Sequence, residues 1–290
     1  MSADPQYVTH DADIAPVAAL IADPTRAAIL TVLLDGRPLA AGELARLAGV
    51  SAATASAHLA RLLGGGLVRV ARQGRHRYYR LAGPEIAAVI EALAHVSPRP
   101  RPRGLRQSRQ AAALQDARTC YDHLAGRAGV ELFATLLSTK VIKKIPNGCA
   151  DAASISAGGP ASPGGDPPEP PALGVGPPGQ YSRNGGAETA ASAADAGLGC
   201  EYEVTSAGVD TLAAFGINLG EVRRSRRRFA GTCLDWTQRR PHLSGALGAA
   251  VTARLLERGW FERGGTRRAL RLTGAGRDGL ARTFGCVIES

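Results

Sequence analysis

Cys120, His123, Cys233 and His242 are the side chains of this sequence best suited to chemistry. Thiolate sulfur and imidazole nitrogen together suit a soft divalent metal such as Zn, Cd or Pb. Cys120 and His123 fall in Thr119-Cys-Tyr-Asp-His-Leu124, three residues apart, a spacing that makes neighbours on one helix face. Cys233, also expected in a helix, opens Cys233-Leu-Asp-Trp-Thr-Gln-Arg-Arg-Pro-His242. If the two segments meet, the four side chains form one ligand set. The same residues also read as plain structure. Cysteine is a good small buried hydrophobe, and Asp122, His123 and Asp235 can cap or hydrogen-bond, paired with Arg239 and Arg240. A third reading places them in a pocket for an organic ligand, with Trp236 in the core. Glu91 and His95, four apart, supply only two ligands and do not close a zinc site. The chain has no nucleophile elbow, phosphate loop or paired carboxylates in a glycine-rich context, so an enzyme is not expected.

The elements that would carry a response lie earlier in the chain. Ala41–Ala48 reads as a helix, Gly49-Val50 as a turn, and Ser51–Leu63 as a second helix with Ser51 as its N-cap. After Gly64-Gly65-Gly66 come Leu67–Ala71, a turn at Gln73-Gly74, and His76–Leu81, the pattern of a β-hairpin. Residues 44–84 hold seven arginines and no acidic residue. That charge suits duplex DNA, where Lys and Arg displace condensed counterions. Val50, Leu59, Leu62 and Leu63 are expected to face the core. Ser51, Ala53, Thr54, Ser56, Ala57 and Arg61 are expected at the DNA. Small residues let a helix approach base edges, and Thr and Ser can reach phosphates or bases. Arg72, Arg75, His76 and Arg77 at the hairpin tip are expected to reach phosphates or the minor groove.

The set Asp23-Pro-Thr-Arg-Ala-Ala-Ile-Leu30, Glu43-Leu-Ala, Ser51-x-x-Thr-x-Ser-x-His-Leu59, Gly66-Leu-Val68 and Gly74-Arg75-x-x-x-Tyr79 resembles the ArsR family of bacterial repressors over residues 14–96. In the resemblance, Asp23 caps a helix that opens on Pro24. It implies a cytoplasmic, homodimeric winged helix-turn-helix protein that binds operator DNA and is released by an effector. The helix Pro84–Val96, with Ile86, Val89, Ile90 and Leu93 apolar, would help form the dimer or pack within its own domain. The chain departs from the family at its metal positions: Ala45 and Leu47 stand where some members carry a cysteine pair, and residues 51–63 contain no cysteine.

Composition bounds the remainder. The chain has 290 residues and a formal charge of +10, with 44% hydrophobic and only 4% aromatic residues, room for two alanine-rich cores. No apolar run approaches the ~20 residues of a membrane span, and the N-terminus lacks signal-peptide character. The five scattered cysteines are expected to be reduced, with a Cys149–Cys200 bridge disfavoured. Residues 98–110 are rich in Pro and Arg and read as an extended linker. Residues 146–199 hold nine of the 18 prolines and 12 of the 36 glycines, a composition expected to stay disordered. Around that insert, Tyr202–Leu212 parallels Leu270–Leu280. Each reads as a strand ending in a Thr that caps a helix, so 111–145 and 200–290 read as a winged-helix-like regulatory domain. Arg223–Arg228 reads as a solvated helix face. The expected fold is α+β, mainly helical with small hairpin wings. The runner-up readings are an organic-ligand- or redox-responsive regulator and an effector-free architectural DNA-binding protein.

Overall fold

Two separate apolar cores organise the chain. The computed structural model describes residues 12–74, 76–98, 102, 104–146 and 200–289. Arg75, Cys149 and residues 147–199 of the expected insert lie outside them.

The first core collects Ile29, Leu30, Leu33, Leu44, Leu59, Leu62, Val68, Tyr79 and Leu81. Its elements are α1 (Ala15–Ile21), α2 (Pro24–Leu33), β1 (Leu39–Ala40), α3 (Ala41–Ala48), α4 (Ala52–Gly64), β2 (Val68–Gln73), β3 (His76–Leu81) and α5 (Pro84–Val96). The caps fall where the side-chain chemistry puts them. Asp23 accepts the Arg26 amide at 2.9 Å, and Ser51 accepts the Thr54 amide at 3.1 Å. Replacing Ser51 by Ala should therefore cost about 1 kcal/mol, read as a lower urea midpoint. β1, β3 and β2 form one antiparallel sheet in that order. Leu59 and Leu62 are buried as expected. Leu63 is not: it is 40% exposed, because Leu59 and Leu62 already fill the inward face of α4.

The second core is built by a duplicated unit of hairpin, helix, hairpin and helix. The first copy holds β4 (Arg118–Cys120), β5 (His123–Ala125), α7 (Arg127–Ser138), β6 (Ile142–Lys144), β7 (Tyr202–Val204) and α8 (Ser206–Phe215). It is preceded by α6 (Leu105–Asp116) and followed by α9 (Leu219–Arg223). The second copy holds β8 (Gly231–Leu234), β9 (Pro241–Ser244), α10 (Gly245–Glu257), β10 (Phe261–Arg263), β11 (Leu270–Leu272) and α11 (Gly274–Phe284). The expected partner of Val141-Ile142 is found, with Ile142 opposite Val204. Thr205 and Thr273 cap α8 and α11 in the same way. Each copy turns from its first hairpin into its helix through a glycine with positive φ, Gly126 (+77°) and Gly245 (+81°). A Cβ there would sit 2.8 Å from the backbone oxygen of Gln115 or Arg228.

Three expectations are corrected. Cys120 and His123 lie not on a helix but across a hairpin, and Cys233 is in strand β8. A two-residue turn at Tyr121-Asp122 brings i and i+3 opposite each other, so the spacing that suits a helix suits a tight hairpin equally. The extended linker ends early, because α6 begins at Leu105 once the alternating prolines stop. Cys200 is disulfide-bonded, whereas Cys120, Cys233 and Cys286 are free.

The two cores are fastened to each other by charge. The Asp35 side chain is fully buried among Arg37 (Nε to Oδ2, 2.6 Å), Arg263 (3.1 Å) and Arg267 (3.8 Å). Arg267 also pairs with Glu43 of α3 at 2.8 Å. The Tyr121 amide donates to the Leu34 carbonyl at 2.9 Å. Gly36 (φ +74°) makes room for that turn, since a Cβ there would lie 2.5 Å from the Tyr121 oxygen.

Candidate functional site

Two features carry chemistry: the face of α4 with its hairpin, and the cysteine–histidine cluster.

On α4, the residues Ala53, Thr54, Ser56, Ala57 and Arg61 are all exposed, as is Ser51 at its cap. Their opposite face, Ala55, Leu59 and Leu62, is buried. At the hairpin, Arg72, His76 and Arg77 are exposed. The register sets Arg69 opposite Arg80 and Arg72 opposite Arg77. Like charges directly across a strand pair repel, so this hairpin is relieved by an anion laid against it. Its base is held by buried Tyr79 and Leu81. Helix and hairpin thus form an exposed, cationic, small-residue surface of the kind that enters a DNA groove.

The second feature lies where the two copies of the duplicated unit meet. Cys120 is opposite His123 in the β4–β5 hairpin, and Cys233 is opposite His242 in the β8–β9 hairpin. One ligand atom from each of the four lies within 4.8 Å of the others. Three of the residues are buried and Cys233 is half-buried. The two imidazoles stack with centroids 5.1 Å apart. His123 Nδ1 faces Asp122 Oδ1 at 3.3 Å. Buried His123 Nε2 and both nitrogens of His242 have no hydrogen-bond partner.

The electrostatics of this cluster are polarised. A hydrogen bond between the two sulfurs holds Cys233 well below the ordinary thiol range and Cys120 well above it. Burial works against a charge on His123, but its interactions with Asp122 and the Cys233 sulfur outweigh it and raise this histidine to about 9. Burial, with the neighbouring charge of His123, pushes His242 down to about 4. Each flanking acid is met by an arginine from the other half. Asp122 is bound by both Nη atoms of Arg227, which, with His123, keep its carboxyl low despite burial. Asp235 pairs with Arg118 at 3.0 Å and accepts the amides of Gly126 (2.6 Å), Thr237 (2.8 Å) and Gln238 (2.9 Å). Burial would raise Asp235, but the Arg118 charge and the Thr237 hydroxyl outweigh it and hold it at about 2.

Several expected roles move. Arg239 and Arg240 do not pair with the acids of the cluster; Arg240 goes to Glu131 at 2.7 Å. The run Arg223–Arg228 is not simply a solvated helix face, since Arg227 binds Asp122 and Arg223 covers the Phe229 ring. Glu91 is buried against Arg268 and Arg118. Trp236 is half-buried, with the Arg118 guanidinium 4.9 Å over its ring. Arg118 itself went unnoticed in the sequence. So did the fact that the cluster is a repeat, Thr-Cys-x-Asp followed by His-Leu-x-Gly at 119–126 and again at 232–235 and 242–245.

Comparison with known proteins agrees with the first feature. A family described as Helix-turn-helix domain matches residues 21–71. The chain is 36% identical over 265 residues to the Bacillus subtilis (strain 168) protein named Uncharacterized HTH-type transcriptional regulator YdfF, covering 91% of this chain and 94% of that one. It is 37% identical over 87 residues to the HTH-type transcriptional regulator CmtR of Mycobacterium tuberculosis, covering 30% of this chain and 73% of that one. Among solved structures it is similar to the homodimeric winged helix-turn-helix DNA-binding domain of a possible ArsR-family regulator from Mycobacterium bovis. That likeness has 32% identity and a TM-score of 0.27, covering 31% of this chain and 87% of that one. With a relative matched along nearly the whole of both sequences, and with α4 and its hairpin facing outward, the protein is a DNA-binding transcription regulator and belongs to the HTH-type transcriptional regulators.

Proposed function

We propose that the protein is an ArsR-type repressor of the bacterial cytoplasm. It binds operator DNA as a homodimer and lets go when an effector occupies its C-terminal domain. The observation that carries this reading is the cationic hairpin set beside the small, exposed face of α4. In it Ser51, Ala53, Thr54, Ser56, Ala57 and Arg61 meet the major groove, while Arg72, Arg75, His76 and Arg77 hold the flanking backbone. The motifs from Asp23 to Tyr79 support the family.

Unpartnered apolar residues on α1, its cap and α5 support the dimer. Ile14 is 74% exposed and Val96 77%, with Val17, Val89 and Leu93 also open to solvent. A second copy laid on this face would bury them and set two recognition helices for two half-sites. The ion pairs of Asp35, Glu43 and Glu91 with arginines of the C-terminal domain give an effector a route to α3 and α5. Release requires that the effector prefer the conformation that does not bind DNA.

The test is fluorescence anisotropy on duplex DNA from upstream of the protein's own gene, against a scrambled duplex at one salt concentration. The expected preference is about 10³-fold or more. Equal affinity for both duplexes overturns the repressor reading in favour of an architectural role.

A further inference from the structure

Resting on the reading of an effector-controlled regulator, we infer that Cys120, His123, Cys233 and His242 form a closed four-ligand site for one thiophilic divalent cation, Zn(II) or Cd(II), per chain. Three observations carry the inference.

The first is geometry. Tetrahedral Zn with bonds of ~2.0–2.3 Å places its ligand atoms roughly 3.3–3.8 Å apart. The four atoms here already lie within 4.8 Å of one another, so a contraction of about an ångström closes the shell.

The second is the unpaired polarity. Nδ1 of His123 is engaged by Asp122, which orients the ring and leaves Nε2 for a ligand. A carboxylate behind a metal-binding histidine is the usual outer-shell arrangement. His242 is fully buried and neither ring nitrogen has a hydrogen-bond partner, Nδ1 lying 4.0 Å from Asp235 Oδ2. Leaving such buried atoms bare is costly, so they call for an occupant.

The third is access. A cavity of about 390 Å³ opens onto Cys120, His123 and Cys233, and Pro84, Glu85, Ala87 and Ala88 of α5 also line it. A cation therefore has an entry path, and it enters beside a helix of the DNA-binding domain. Both sulfurs bind as thiolates and both imidazoles as neutral rings, and every proton they give up leaves to solvent. Four protein ligands leave no open position, which fits a sensor or a staple rather than a hydrolytic centre.

The placement explains how occupancy reaches DNA. Two ligands come from each copy of the duplicated unit, so the cation pulls the β4–β5 and β8–β9 hairpins together. The turn of the first hairpin is Tyr121, whose amide is bonded to Leu34 at the end of α2.

The experiment titrates the reduced full-length protein with Cd(II) and follows the ultraviolet thiolate-to-cadmium charge-transfer band. The wild type should saturate at one equivalent per chain. Cys120→Ser and Cys233→Ser should each lose the band, whereas Cys286→Ser, outside the cluster, should keep it. His242→Asn should weaken binding by more than about 100-fold, since loss of an outer-shell partner alone costs 10–100-fold. Circular dichroism of each variant separates lost ligation from lost fold. A reduced wild type with free thiols that gives no band overturns the site, as does a band that survives the two cysteine substitutions combined.

Operator affinity read in the same titration reports separately on function. A loaded site with unchanged operator affinity upholds the cation site and removes the cation as effector. A cation-free protein that shows no preference for operator over scrambled duplex, yet gives the band on titration, upholds the site and removes the repressor reading.

Discussion

Replacing Arg118 by Ala should destabilise the protein by about 3–5 kcal/mol, the largest single-residue effect expected outside the apolar cores. Arg118 is fully buried. Its guanidinium meets Asp235 at 3.0 Å and Glu91 at 3.6 Å, and lies over the Trp236 ring. Truncation leaves two buried carboxylates facing a void. Arg268 still serves Glu91, but Asp235, with its side chain at 0% exposure, keeps only amides, a hydroxyl and His242 at 4.0 Å. The effect spreads because the network joins three parts: α5, the β4 strand, and the loop after β8. Arg118→Lys should recover only a fraction, since a single ammonium cannot span both acids as the planar fork does.

The measurement is the urea midpoint of the cation-free chain. A companion double variant, Arg118→Met with Asp235→Asn, should lose less than the sum of the two single changes, because it removes charge from both sides. A loss under about 1 kcal/mol for Arg118→Ala would mean that this ion network does not hold the two domains together.

The DNA-binding half was legible in the sequence because each element declares itself locally. Asp23-Pro24 and Ser51 are caps, Gly49 takes the left-handed turn after α3, and Leu59 and Leu62 keep the helical period. Helix α5 was read with its observed bounds for the same reason. The four residues of the cluster were also picked out, from their chemistry. Their placement was not, because Cys120 and His123 face each other across a two-residue turn whose Tyr121 has φ +60°, which no propensity announces. The internal repeat that pairs Cys120 with Cys233 was hidden by loop length. Two residues separate Cys from His in the first copy and eight in the second. Arg118, Arg227 and the reach of Asp35 beyond its neighbour Arg37 were out of range altogether, since those partners lie more than 100 residues away in sequence. A buried ion pair leaves no periodic trace; only the topology decides which acid an arginine will meet.

Replacing Arg72 and Arg77 together by Ala should weaken DNA binding by about two to four decades while leaving the fold intact. Both side chains are exposed and sit opposite each other at the end of the hairpin. Removing them relieves a like-charge pair, so thermal stability should hold or rise slightly. In a dimer the change removes up to four phosphate contacts. At roughly 1 kcal/mol each or somewhat more, these account for the expected range in Kd. The salt dependence is the sharper readout. Each lost phosphate contact should reduce the slope of log K against log salt by about 0.9, hence by about 3–4 in total. Because phosphates carry no sequence, operator and scrambled duplex should weaken by similar factors and the ratio between them should persist. Changes on α4, such as Thr54→Val, should behave in the opposite sense, eroding the ratio with little effect on the slope. Anisotropy titrations at four or five salt concentrations measure both quantities at once. If affinity and slope are unchanged in the double variant, the hairpin lies off the DNA. If the slope holds while the operator preference collapses, the two arginines read bases rather than backbone, and the division of labour between helix and hairpin must be reversed.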